Sequence, residues 1–275
     1  MTTVEARDRI MLYLARYGYL AYEDFVTLWV SDSMNYLYKI MTVLCESERK
    51  LVQKLSFASD PRYGQLPYLF TLTRKWRDLL VKKFWLRISD IPLRKAYKFH
   101  KDYRHRRRTI AIRIVLEKAI REDKWVVIEY LTYFDRLKPL PLSQSIKWTR
   151  VILGKSFYIP DSVMHFRTKD WIDLLFCLEM HNGWNVWEIE AELNNHVEIL
   201  QNGLIASRFN LNVDHRLLSV YQHSSCMMRV LERIKDDGKY KNVLNYMLFK
   251  PLQEFLKQPL SGRQTIEGKS VDIQY

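Results

Sequence analysis

Two acids and a histidine are the residues of this sequence best spaced for chemistry. Asp161 follows Pro160 inside the run SFYIPDSVMHF, and the next run, WIDLLFCLEMH, ends on Glu179, Met180 and His181. Side chains alternate between faces along a strand, so Glu179 and residue 181 share one face. If the two runs pair as a hairpin, Asp161, Glu179 and position 181 converge. Carboxylates placed in this way bind Mg²⁺ through oxygen, and a lysine at the third position would orient water or stabilise charge on a cleaved phosphate. The third position here is histidine, which binds a metal or takes a proton but lacks a fixed positive charge at pH 7.

A lysine on the following helix could serve instead, but residues 182–207 contain no Lys or Arg and carry Glu188, Glu190, Glu192 and Glu198. Such a helix would repel DNA. Glu117, on an upstream helix, reads either as a further acid or as a surface charge. Asp161, Glu179 and His181 are therefore expected to be a degenerate remnant of the metal-dependent nuclease pattern, with no catalytic residue among them. Neither metal nor cofactor is expected; Asp161 and Glu179 would bind Mg²⁺ only under the alternative of a metal-dependent DNA endonuclease. His165, His181 and His196 lack the close spacing of a zinc site. With 8 glycines and no Gly-rich phosphate loop, nucleotide hydrolysis is not indicated. The 17 tyrosines are not accompanied by the tight His cluster that relaxase chemistry needs.

The elements that must position these residues follow from periodicity. After an amphipathic helix beginning near His105, the order is strand (125–133), a Pro-rich loop, two strands carrying the acids, a helix, strand RLLSVYQH, helix CMMRVLERIKDD and strand VLNYMLFK. Upstream, Ile10, Leu14 and Tyr17 sit at helical spacing before Gly18, and a second short helix spans Ala21 to Trp29. A third follows Ser31-Asp32-Ser33, burying Leu37, Ile40, Met41 and Leu44. LVQKLSF and LPYLFTL then flank the turn ASDPRYGQ as a hairpin. Three helices and a hairpin within about 75 residues is the order of a winged helix-turn-helix, whose third helix enters the major groove. Its outward candidates for DNA are Ser33, Asn35, Tyr36 and Lys39, with Arg62 at the hairpin tip; the alternative is that Tyr36 and Tyr38 simply cover the second helix. Winged helices also serve as protein docking modules.

Charge points the same way. The chain of 275 residues has a net charge of +13, and residues 76–150 hold 20 Lys and Arg against 8 Asp and Glu. Within that stretch Lys98, Lys101, Arg104, Arg106, Arg107 and Arg108 alternate with Tyr97, Phe99 and Tyr103. Cations neutralise phosphates and flat rings stack on bases or sugar, so this segment is expected to be a phosphate-binding joint; a solvated linker is the alternative. The three cysteines are far apart among apolar neighbours, which suits neither zinc nor a disulfide framework and favours a reducing cytoplasm. No run of about 18 apolar residues and no signal-peptide order is present, so no membrane is expected.

The whole pattern resembles the replication-relaxation family across roughly residues 5 to 250. The matching pieces are IMLYLARYGYLAYEDFVTLWV, SMNYLYKIMTVLCESERKLV, PYLFTLT, the Pro-Asp and Leu-Glu strand pair, RLLSVY and MRVLERI. The fold expected is α+β in two domains: a winged helix-turn-helix over 1–92, then a restriction-endonuclease-like α/β domain over 93–257 that opens with the basic joint 93–108. A mobile tail would cover 258–275. The resemblance implies a bacterial, cytoplasmic DNA-binding accessory protein of plasmid or integrative-element mobilisation or replication, part of a relaxosome in conjugation. Double-stranded DNA is the partner expected, with a relaxase or other mobilisation protein and a second copy of the chain as further candidates. A winged-helix transcriptional regulator whose second domain only dimerises is the remaining rival.

Overall fold

The computed structural model describes residues 2–46, 50–61, 64–84, 99, 102–135 and 149–272. The protein is mixed α/β and divides into two units, residues 1–110 and 111–275. The boundary expected after residue 92 thus moves to Ile110. The physical reason is that Phe99 and Tyr103, read from sequence as part of a basic joint, are core residues of the first unit. Their rings pack on Phe57 at 5.1 and 4.6 Å, and the Tyr103 hydroxyl donates to the Pro67 carbonyl at 2.8 Å.

The first unit opens with α1 (Thr3–Tyr17), started by a reciprocal Thr2 and Glu5 capping box. It stops at Gly18, whose φ of 81° lies in the left-handed region that a side chain disfavours. Next come α2 (Tyr22–Thr27) and α3 (Met34–Glu46), then β1 (Val52–Leu55) and β2 (Leu69–Leu72) as an antiparallel pair, and α4 (Arg74–Phe84). Leu20 bridges to Phe70, which ties the turn after α1 to the hairpin. The expected stripe of α3 is buried at Leu37, Ile40, Met41 and Leu44. It packs in a core that includes Ile10, Leu14, Phe25, Leu69 and Phe70.

A long helix, α5 (Tyr103–Glu122), begins within the first unit and ends within the second. The strands of the second unit are β3 (Val126–Thr132), β4 (Val151–Leu153), β5 (Ser156–Tyr158), β6 (Ser162–Arg167) and β7 (Asp173–His181). The single strand expected over 156–166 is therefore two. Pro160 lies between them and has no N–H for a ladder, so β5 pairs with β4 as a separate hairpin. After β7 come α6 (Val186–Gln201), α7 (Leu204–Arg208), β8 (His215–Tyr221), α8 (Ser224–Ile234), β9 (Met247–Pro251), α9 (Leu252–Lys257), β10 (Arg263–Gln264) and β11 (Ser270–Val271). Seven strands form one sheet in the order β11-β10-β9-β8-β7-β6-β3, parallel only across β7-β8-β9.

Helices cover both faces of this sheet. Cys177 and Leu217 pack with α6 and α8 residues such as Ile189, Leu193 and Val230. Phe176, Leu178 and Leu248 pack with Ile112, Leu116 and Ile120 of α5 and with Phe255 of α9. Burial on both sides explains why DLLFCLEMH reads as a continuous apolar run and not as an alternating one. The tail is a second correction. Residues 263–271 supply two further sheet strands, with Ile266 buried at the edge, so this segment belongs to the sheet.

Glu117 is a third correction. Far from being a surface charge, it is fully buried in α5, where it accepts from Arg113 Nε at 2.9 Å. The Arg113 guanidinium also lies 4.5 Å over the Tyr130 ring. Removing one partner of a buried pair leaves the other charge without compensation. Glu117→Ala should therefore lower unfolding free energy by about 3 kcal/mol or more in urea titrations; a loss below about 1 kcal/mol, the usual value of a surface pair, would contradict the buried-pair assignment.

Candidate functional site

β7 presents Glu179 and His181 on one face, the face that meets α6, as period-two geometry requires. Asp161, at the head of β6, lies beside the same strand, and its Oδ2 accepts from the Met180 amide at 2.7 Å. The three expected residues are thus brought into one neighbourhood and buried, at 7%, 5% and 5% exposure for Asp161, Glu179 and His181. They do not form an open acidic pair. Glu179 Oε1 accepts from the Tyr158 hydroxyl at 2.9 Å and from His196 Nε2 at 2.7 Å. Tyr158 comes from the β4-β5 hairpin and His196 from α6, so two flanking elements close over the carboxyl group.

The electrostatics follow from this enclosure. Burial, reinforced by the charges of Asp161 and Glu192, holds the Glu179 carboxyl well above its ordinary value. Burial, with His215 and His181 nearby, holds His196 well below the usual imidazole range. Tyr158 is pushed up by burial and by Glu179. Burial thus favours the uncharged form of each of the three groups, and a His196 that meets Glu179 through Nε2 has its buried Nδ1 without a partner among the described residues.

His181 makes a separate contact set. Its Nε2 lies 2.9 Å from Ser219 Oγ and its Nδ1 3.3 Å from Glu192 Oε2. Ser, His and acid in this connectivity would be a nucleophile relay. Ser219, however, is fully buried in β8 between β7 and β9, so no carbonyl carbon can approach its oxygen. The relay orients His181 and does not expose a nucleophile.

A divalent cation needs ionised oxygen donors facing one point. Burial disfavours the ionised form of Glu179, whose Oε1 already lies within hydrogen-bond distance of Tyr158 and His196, and an Asp161 oxygen is taken by an amide. The two acids are therefore not arranged as an open cation site. Among the described residues no group of three or more His, Cys, Asp or Glu side chains is arranged to hold a metal ion.

The acidic helix expected to repel DNA is more nearly neutral than its sequence implies. Glu190 is paired with Arg233 at 2.8 Å and lies 3.8 Å from Lys239, while Glu192 turns to His181. Tyr158, Glu192, His196 and Ser219 were not expected as site residues. Glu192 and His196 are one helical turn apart and so share a face. Ser219 is a small hydroxyl residue between apolar neighbours in the strand core LLSVY. Those two signals were available.

In the first unit, Asn35 and Lys39 are exposed on α3. Tyr36 is half-buried and lines an open depression of about 590 Å³ with Trp29, Val30, Ser31 and Asp32. Ser33 is a helix cap, its Oγ accepting from the Tyr36 amide at 3.3 Å. Tyr38 packs on Tyr22 of α2 at 4.4 Å between ring centroids, so one of the two tyrosines covers the second helix as the alternative reading held.

The basic cluster departs from expectation. Arg104 pairs with Asp60 at 3.2 Å; Arg106 is buried, pairs with Asp102 at 2.7 Å and lies 3.9 Å over the Phe99 ring. Arg107 is bound to Asp24. Asp24 also accepts from the Ala21 amide at the start of α2. Burial pushes the Asp24 carboxyl up against the opposing pull of Arg107. These three arginines fasten the first unit internally and are not a free phosphate-binding array. Arg108 is half-buried with contacts of its own. Arg62, Lys98 and Lys101 lie outside the described residues.

Fold and site together define a mixed α/β protein of two units, the second of which encloses a polar cluster at the junction of β6, β7 and α6. Comparison with protein-family models, with curated proteins and with solved structures finds no match to this chain. No helix among the described residues is long and apolar enough to cross a membrane.

Glu179 sets the pH response of the second unit. A carboxyl whose folded pKa is raised contributes stability that is fully present below its unfolded value, near 4.5, and is lost as pH rises towards the folded value. Glu179→Gln removes that loss while keeping the acceptor for Tyr158 and His196. The variant should gain stability relative to the natural protein between pH 5 and pH 8 in urea unfolding. An identical difference at both pH values would show that Glu179 is ionised in the fold.

Proposed function

We propose that the first unit binds double-stranded DNA through α3 and the hairpin, and that the second unit is a nuclease-like scaffold that does not cut. On this reading the first unit is a winged helix-turn-helix and the second a restriction-endonuclease-like domain. The protein is then a DNA-binding accessory factor of plasmid or integrative-element mobilisation or replication, working in the bacterial cytoplasm beside a relaxase or related protein.

One observation carries the proposal: the charge is divided between the units. Residues 1–110 hold 22 Lys and Arg against 11 Asp and Glu, whereas residues 111–275 hold 22 against 20. Nearly all of the excess therefore belongs to the first unit, within residues 73–110, which hold 14 Lys and Arg against 3 Asp and Glu, and this supports a phosphate-facing role for that unit. Asn35 and Lys39 are outward on α3, the first suited to adenine and the second to phosphate. Lys54 of β1 is exposed and lies 3.8 Å over the Tyr68 ring, placing a cation on the hairpin.

Because Arg104, Arg106 and Arg107 are engaged internally, the phosphate contacts are fewer than the sequence implies. A gel-shift titration over salt should give a log–log slope of about −3 to −4, the value for roughly four phosphates. Lys39→Ala and Lys54→Ala should each weaken binding on all sequences and reduce the slope by about 1. Binding that hardly changes with salt would overturn the proposal.

A further inference from the structure

The edge of the large sheet holds two buried cations side by side. Gln264 of β10 pairs with Phe249 of β9, so Arg263, one step back on the antiparallel strand, lies beside Lys250, one step on. Both are nearly inaccessible, at 1% and 3% exposure. Lys250 Nζ donates to the carbonyls of Gln258 and Ser261. Arg263 has no such partners: Nε, Nη1 and Nη2 are all buried without a hydrogen-bond acceptor. The Phe255 ring lies 5.6 Å from the guanidinium.

Like charges directly opposite on paired strands repel, and a buried guanidinium without acceptors is costly. Burial brings Arg263 down to about 9 and Lys250 down to about 8, with each cation lowered further by its neighbours. Arg216 adds a third positive charge nearby, and Asp272 and Glu254 are the opposing acids. Asp272 lies near enough to offset the Arg263 charge in part, and its Oδ1 accepts from the Gly262 amide at 2.8 Å. Among the described residues no acid forms a hydrogen bond to the Arg263 fork.

We infer that the Arg263–Lys250 pair is the binding site of a small phosphate-type oxyanion. Such an anion is acceptor-only, and its oxygens match the rigid guanidinium fork two at a time. Lys250 supplies a second positive charge on the same sheet face. The enclosure selects a free anion over the phosphate of a duplex, since a backbone phosphate cannot reach a group with 1% exposure. Access comes from the edge itself: β10 and β11 are two residues each, and a single residue pair joins β10 to β9. Opening there breaks few hydrogen bonds.

The test uses the full chain without nucleic acid, so its result is independent of the DNA-binding proposal. Thermal unfolding is followed in inorganic phosphate and in chloride at equal ionic strength. Phosphate at about a hundredfold excess over Kd should raise the midpoint by roughly 5 °C. Arg263→Gln should fold, lose that rise, and match or exceed the natural protein in chloride because the unpartnered charge is gone. Lys250→Met should weaken the phosphate response in the same direction, and replaces Arg263→Gln if that variant does not fold. An equal rise in the natural protein and the variants, no rise in the natural protein, or protection by a short DNA duplex but not by phosphate would each overturn the inference.

Discussion

The hydrogen bonds that Tyr158 and His196 donate to one oxygen of Glu179 are the constraint on which the second unit turns. They join the β4-β5 hairpin, strand β7 and helix α6 at a single buried atom. Because the carboxyl group is desolvated there, its neutral form is favoured, and an acidic pair that could have gathered a cation becomes a closed polar network. The same enclosure places His181 between Ser219 and Glu192, where it is oriented but shielded from substrates. One position thus joins the packing of three elements to the enclosure of the acids.

The first unit applies a similar rule with the opposite outcome. Asp24 ties the start of α2 to Arg107, and Asp102 and Asp60 hold Arg106 and Arg104. These pairs convert residues that look like a phosphate array into fasteners of the fold. The excess positive charge of the unit remains, and Arg74, Lys75, Lys82 and Lys83 of α4 are exposed along with Lys39 and Lys54. Charge counts along a sequence therefore overstate the number of cations free to act.

Periodicity and punctuation made the element order legible: the α3 stripe, the Gly18 stop, the hairpin turn and the two acid-bearing strands can all be read from spacing. Convergence of Asp161, Glu179 and His181 was also legible, because it rests on strand alternation. What closed the site was not. Tyr158 and His196 reach Glu179 through tertiary pairing of elements separated by 21 and 17 residues, which no local pattern encodes. Arg263 was hidden for a related reason. Its segment is poor in large apolar residues, yet two-residue pairings at a sheet edge are enough to order it.

A protein of the proposed kind holds DNA without breaking it. Supercoiled plasmid incubated with the natural protein should be retarded to the same extent in EDTA, Mg²⁺ and Mn²⁺, and should remain supercoiled after the protein is removed. Nicked or linear product that requires the metal and disappears in Asp161→Ala would contradict the account, and would make the enclosed acids a working nuclease centre.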